Sequence, residues 1–249
     1  MKLFARLAFL ALCLLPSLLQ ASTLPDPATK DKVPPIAYVQ GMIWKRLTLA
    51  DFYLTGVIRT SKDKKQYPVV LRTRGHEMVY EFQDQPLQIR VQMDPGAFTV
   101  QKRSKASEPW ATITGNELKQ PILGTDITYE DLSIDFINWD NIEPLGTDSI
   151  KTLDAYVFEA KPGPDDHSRF PAVRFWVSKQ YWTFLRIDGL NSKEETVKRV
   201  EVQDVMQIGK YYVFKEMKIS NMDPTREDIP FSTTFIDIQD GKEGSGLTE

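Results

Sequence analysis

The side chains able to do chemistry are few and badly placed for catalysis. His76 and His167 are the only imidazoles in 249 residues, and each sits in its own turn-rich stretch. The single thiol, Cys13, lies in an apolar run near the start. No two of these groups fall at metal-ligand spacing, so the ligand set of a zinc site is missing. Asp165-Asp166-His167-Ser168 sets triad-type groups side by side in a loop with two prolines and a glycine. Triad members are brought together by the fold rather than by adjacency, so this run reads as a solvated turn. Neither a Gly-x-Ser-x-Gly elbow nor a Gly-rich phosphate loop occurs. One carboxylate pair remains, Glu130-Asp131. It could serve acid–base work, but helix capping accounts for it with less. The expectation is a protein that is not an enzyme and uses no cofactor and no metal.

Thr128 is placed to accept a hydrogen bond from the first turn of a helix, and Asp131 to reach back to the cap, as in a capping box. Glu130 and Asp131 also put negative charge at the positive end of the helix dipole. Leu132 and Phe136 follow one turn apart. The spacing therefore predicts a short helix over 128–137 with an apolar stripe. Ile36, Val39, Ile43 and Leu47 recur at three- and four-residue steps behind Pro35, which predicts an amphipathic helix over 35–46.

The other stretches alternate with period two. Met78, Tyr80 and Phe82 form one apolar set, and Leu87, Ile89, Val91 and Met93 another. Leu153, Ala155 and Val157, then Val173, Phe175 and Val177, then Leu185 and Ile187 continue the pattern. Trp176 falls on the polar side. Turn residues separate the runs, the mark of antiparallel strands with a dry and a wet face. About ten or eleven strands are expected. They should form one curved antiparallel sheet, an open and incomplete barrel covered by short helices.

Met1 to Ala21 has a basic start at Lys2 and Arg6, an apolar core and a small residue at Ala21, which reads as a cleaved signal peptide. Its apolar run is shorter than the ~20 residues of a spanning helix. Residues 22–34 read as a linker, 35–240 as one domain and 241–249 as a disordered tail. The net charge of −3 comes without a basic stripe, so no nucleic-acid partner is expected. A monomer is expected.

Gly124-Thr-Asp-Ile-Thr-Tyr-Glu-Asp-Leu132, followed by Trp139, resembles the Gly-Ser-Asp-x-(Ser/Thr)-Tyr-Glu-Asp-Leu signature of the outer-membrane lipoprotein-sorting (LolA-like) proteins. Gly124, Asp126, Tyr129, Glu130, Asp131 and Leu132 match it, and Thr125 replaces the usual serine. The likeness extends loosely over 33–240. It implies a periplasmic carrier that shields lipoprotein acyl chains or lipid between an inner-membrane donor and an outer-membrane acceptor. On that reading Met78, Tyr80, Phe82, Leu87, Ile89, Val91 and Met93 line the hydrophobic cavity. Ile36, Val39, Ile43, Leu132, Phe136 and Trp139 belong to its cover. Closure should run through a joint Leu132/Phe136 face, so aspartate at both positions should spare the fold and abolish uptake. The rival readings are a periplasmic sensor or protein-binding domain of the same fold, and an exported enzyme on a β-sandwich or barrel.

Overall fold

The structure, a computed structural model, describes residues 25–94, 96–164, 166, 168–226 and 228–244. The expected signal peptide, the first three linker residues, Asp165, His167 and the last five tail residues lie outside the described residues.

The first half of the chain forms a meander of β1 (Phe52–Thr60), β2 (Gln66–Arg74), β3 (Glu77–Phe82), β4 (Gln88–Asp94), β5 (Ala97–Arg103) and the two-residue β6 (Ala111–Thr112). The second half forms β7 (Asn141–Ile150), β8 (Leu153–Lys161), β9 (Ala172–Ser178), β10 (Phe184–Leu190), β11 (Thr196–Ile208), β12 (Tyr211–Met222) and β13 (Pro230–Glu243). β1 pairs with β13, which joins the meanders into one antiparallel sheet of thirteen strands, ordered β6 to β1 and then β13 to β7. β6 and β7 are its edges, so the sheet is not closed into a barrel. The expected open architecture is the one found, with more strands than periodicity counted.

Two helices pack on the inner side of the sheet, the first across the seam between its two halves. α1 (Ile36–Leu47) buries Val39 and Ile43 and exposes Lys45 and Arg46 in its last turn, where cations suit the dipole. Its start touches the β9–β10 turn through Tyr38 and Trp182, ring centroids 5.5 Å apart. Its end stacks Trp44 on Phe98 of β5 at 5.4 Å. α1 therefore spans the seam. α2 (Tyr129–Ser133) is the capped helix. It stops earlier than the sequence predicts, because Ile134 adopts a left-handed φ of 43° and a tight turn, Asp135–Asn138, follows on a new axis.

That break separates Leu132 from Phe136. Leu132 packs on the core under β1–β5 and β11–β13. Phe136 packs with Val39, Ile43, Trp139, Phe158 and Phe175 under β7–β10. Ile36 lies half-buried against this second core. The expected continuous helix with one Leu132/Phe136 face is thus two elements serving two cores.

A third cluster corrects the reading of β8. Ala155 and Val157 lie with Trp176 and Leu185 on the outer side of the sheet. Tyr156, Phe158 and Ala160 take the inner side instead. Both faces of β8 are apolar, so alternation alone could not choose between them. A register shift between Phe184 and Arg186 puts Leu185 and Ile187 in different clusters. Trp176 is buried on the side expected to be wet, donating its indole N–H to Asp148 Oδ2 at 2.9 Å.

Residues 26–32 and 241–243, in the expected linker and tail, are tied down further than composition indicated. In the expected linker, Asp26 caps a tight turn, Pro27–Lys32, and its N–H donates to the Thr147 carbonyl at 3.1 Å on edge strand β7. Gly146 permits this approach, since a Cβ there would lie 2.2 Å from the Asp26 carbonyl oxygen. We expect Gly146→Ala to free residues 26–32 from β7, exposing them to limited proteolysis at a stability cost of more than about 1 kcal/mol. At the other end β13 runs to Glu243, three residues into the expected tail. Gly241 lets Leu54 and Ile208 pack over the strand; a Cβ would meet their methyl carbons at 2.6 and 2.5 Å.

Candidate functional site

The apolar wall expected from β3 and β4 exists as one surface. Met78 lies opposite Val91 and Tyr80 opposite Ile89, so both alternating sets share the inner face. Phe82 pairs with Val69 of β2, and Tyr80 with Leu71. Phe82, Ile89, Val91 and Met93 are buried, whereas Met78, Tyr80 and Leu87 are half-buried. Across the curve, Ile58 of β1 and Ile236 of β13 extend the wall. Burial pushes the Tyr80 phenol well above its ordinary range.

The wall is covered by residues 114–133. Ile122, Ile127 and Leu132 descend from this segment onto Ile58, Tyr80, Phe82, Ile89 and Ile236. The space left between them is only about 10 Å³, room for one water at most. The segment is folded on itself, with Ile122 N–H donating to the Ile127 carbonyl at 2.8 Å. Tyr67 reaches up from β2, and its hydroxyl donates to the Leu123 carbonyl at 2.9 Å. Gly124, with φ of 74°, makes the turn into the signature residues.

Those signature residues pin the cover to the sheet. The Thr128 hydroxyl accepts from Asp131 N–H at 3.3 Å, and Thr128 N–H donates to Asp131 Oδ2 at 2.7 Å, completing the predicted capping box. The same Asp131 is held by Lys198 Nζ at 2.9 Å and Arg169 Nη2 at 2.6 Å. Asp126 Oδ1 accepts from Asn221 Nδ2 at 2.6 Å and from the Ser232 hydroxyl, and its Oδ2 accepts from the Thr234 hydroxyl at 2.8 Å. Lys198 also donates to the Asp126 carbonyl. Glu130 Oε1 accepts from the Ser168 hydroxyl at 2.9 Å and Arg169 N–H at 3.0 Å. Tyr129 is buried in the first core. The motif is therefore a latch, and each of its charged side chains has a partner on the sheet or the β8–β9 loop. Sequence reasoning named Asp126, Glu130 and Asp131 but missed Lys198, Arg169, Asn221, Ser232 and Thr234. A lysine on the dry face of β11 was the one available signal.

Burial matters to the electrostatics, because the side chains of Lys198 and Asp131 are only 4% and 7% exposed. Burial pushes the Lys198 ammonium below the ordinary lysine range, with Asp131 pulling the other way. Burial alone would raise the Asp131 carboxyl, but Lys198 and then Arg169 hold it below the ordinary carboxylate range. A depressed carboxyl gives stability that is present above the unfolded value, near 3.9, and is lost as pH falls through the folded-state value. The latch should therefore loosen below about pH 4. An environment-sensitive apolar dye should then bind before the far-UV signal of the sheet is lost. Dye binding that appears only together with loss of the sheet's far-UV signal would contradict a separately weakened cover.

The remaining expected cover residues lie elsewhere. Val39, Ile43, Phe136 and Trp139 are buried in the second core and do not line the wall beneath Leu132. His76 sits at the β2–β3 turn with Nδ1 2.9 Å from the Met93 carbonyl, a turn-fixing contact. No helix among the described residues is long and apolar enough to cross a membrane.

The fold is shared with solved structures of low sequence identity. A DUF1329 family protein from Desulfovibrio piger superposes with a TM-score of 0.69 at 16% identity, covering 87% of this chain and 96% of that one. An outer membrane lipoprotein-sorting protein domain from Vibrio parahaemolyticus gives 0.67 at 19% identity, over 86% and 93%. A LolA superfamily protein from Nitrosomonas europaea gives 0.60 at 14% identity, over 87% and 96%. Among curated proteins no sequence matches. A family model described as "Uncharacterized protein" matches residues 105–246, more than half of the chain; the chain belongs to that family and carries the LolA-like fold of the lipoprotein-sorting proteins.

Proposed function

We propose that this protein is a periplasmic carrier that takes the acyl chains of lipoproteins or lipids against the inner face of β1–β5 and β13. The observation that carries this reading is the covered wall, where Ile122, Ile127 and Leu132 fill a concavity that is otherwise lined only by the sheet. Those three side chains stand in for cargo in the closed state. Burial of Ile122 and Ile127, with the partial burial of Leu132, contributes several kcal/mol, at about 1.5–3 kcal/mol for each fully buried side chain. A twelve-carbon chain taken out of water gains on the order of 10 kcal/mol at ~0.8 kcal/mol per CH₂. The magnitudes are close enough for cargo to displace the cover and for the cover to expel cargo. No reacting group is needed, only a dry wall and a movable segment. Met78 and Met93 give that wall adaptable surface for irregular chains. The basic and apolar residues 1–21 support export.

The test is native mass spectrometry on protein purified from a bacterial periplasm, with lipid extraction of the same sample. Bound acyl lipid or lipopeptide is the expected result, and Leu132→Asp should lower its occupancy severalfold. An apo mass that persists after incubation with a triacylated lipopeptide would sink the carrier reading.

A further inference from the structure

The cover and the body of the protein divide their charges in an uneven way. Asp126, Glu130 and Asp131 all belong to the cover segment. Their partners belong to the body: Lys198 on β11, Asn221 on β12, Ser232 and Thr234 on β13, and Arg169 just before β9. On the carrier reading the cover must lift, and the three carboxylates then leave together. What stays on the body is two cations and three neutral donors around the place the carboxylates held. Body residues keep no carboxylate in that set to neutralise them.

We propose that Arg169, Lys198, Asn221, Ser232 and Thr234 form an oxyanion-binding site, filled in the closed protein by the cover's Asp126 and Asp131 and in the open protein by the anionic head group of the cargo. The inference rests on the carrier reading, since it needs the cover to open. A second observation supports it. A groove of about 430 Å³, open to solvent, runs along Arg169, Asn191, Lys198 and Asn221 and is walled by Phe170 and Leu190. A phosphate or carboxylate head group can approach the donors along this groove while its first methylenes lie on the apolar wall of the groove. The head group then competes with Asp131 for the same two cations, so arrival of an anionic amphiphile weakens the latch that covers the apolar wall. Charge-assisted hydrogen bonds are the strong ones, and Arg169 offers a planar fork suited to an oxyanion.

The test compares three probes on the full folded chain: dodecyl phosphate, dodecyl maltoside with the same alkyl chain and no charge, and inorganic phosphate. Affinities are read by calorimetry in wild type, Arg169→Gln and Lys198→Met. Wild type should bind dodecyl phosphate at least about tenfold more tightly than dodecyl maltoside, because charge-assisted hydrogen bonds are about twice as strong as neutral ones. Added salt should narrow that ratio. Both variants should lose the preference and retain maltoside binding. If Lys198→Met fails to fold, the wild-type ratio and Arg169→Gln still decide. Equal affinity for the two amphiphiles in wild type overturns the site, as does a preference that survives Arg169→Gln. Binding of inorganic phosphate that disappears in Arg169→Gln, without binding of either amphiphile, would leave a site for free anions and overturn its role as a head-group site. Failure of all three probes overturns both.

Discussion

Phe136→Ala is expected to lower the unfolding free energy by about 3–5 kcal/mol, the range for truncating a fully packed phenylalanine. The ring lies 5.2 Å from Phe175 and 5.6 Å from Phe184, and Phe158 stacks on Phe175 at 5.4 Å. Val39 and Ile43 of α1 close the same cluster from above. Removing the ring leaves a cavity that strand side chains cannot collapse to fill. Urea unfolding should show a lower midpoint with an unchanged slope. A loss under 1 kcal/mol would mean that Phe136 belongs to a movable cover, as its spacing from Leu132 predicted. Aspartate at both positions is therefore expected to damage the fold, through Phe136, and cannot serve as a clean test of uptake. Leu132→Asp alone is that test.

Asp131→Ala should be nearly as damaging, for an electrostatic reason. It would strand Lys198, whose side chain is 4% exposed and has Asp131 as its one ion-pair partner among the described residues. Breaking a buried pair by removing one partner costs about 3–5 kcal/mol, since the other charge is left without compensation. The second substitution distinguishes this cause from lost packing. In the Asp131→Ala background, Lys198→Met should restore most of the loss, because the stranded charge is gone. The coupling energy from the double-mutant cycle should therefore be at least about 1 kcal/mol in magnitude, within the range of about 0.5–3 kcal/mol for groups in contact. Additive losses would show that the pair does not hold the cover.

The wall was legible in the sequence because its strands are local. β3 and β4 are joined by a short turn, and Leu87 to Met93 alternates cleanly while Met78 to Phe82 does so except at Val79, so their shared face followed from period two. The capping box at Thr128 was equally local, three residues from donor to acceptor. Where both faces of a strand are apolar, as in β8, period two carries no sign, and the choice of face fell to packing against Trp176 and Leu185. The left-handed Ile134 was hidden for a related reason: nothing in a branched residue announces a helix break, and the second core imposes it.

By itself the sequence determined an antiparallel meander, an apolar wall on β3 and β4, a capped α2 and an α1 with one buried face. Only the tertiary structure decided that β1 closes on β13, that Leu132 and Phe136 serve different cores, and that Asp126 meets Asn221, Ser232 and Thr234 from 95 to 108 residues away. Periodicity reports only what neighbours along the chain share. Contacts across the sheet are settled by which long-range pairings repay the entropy of closing the loop between them with buried apolar area and satisfied charge.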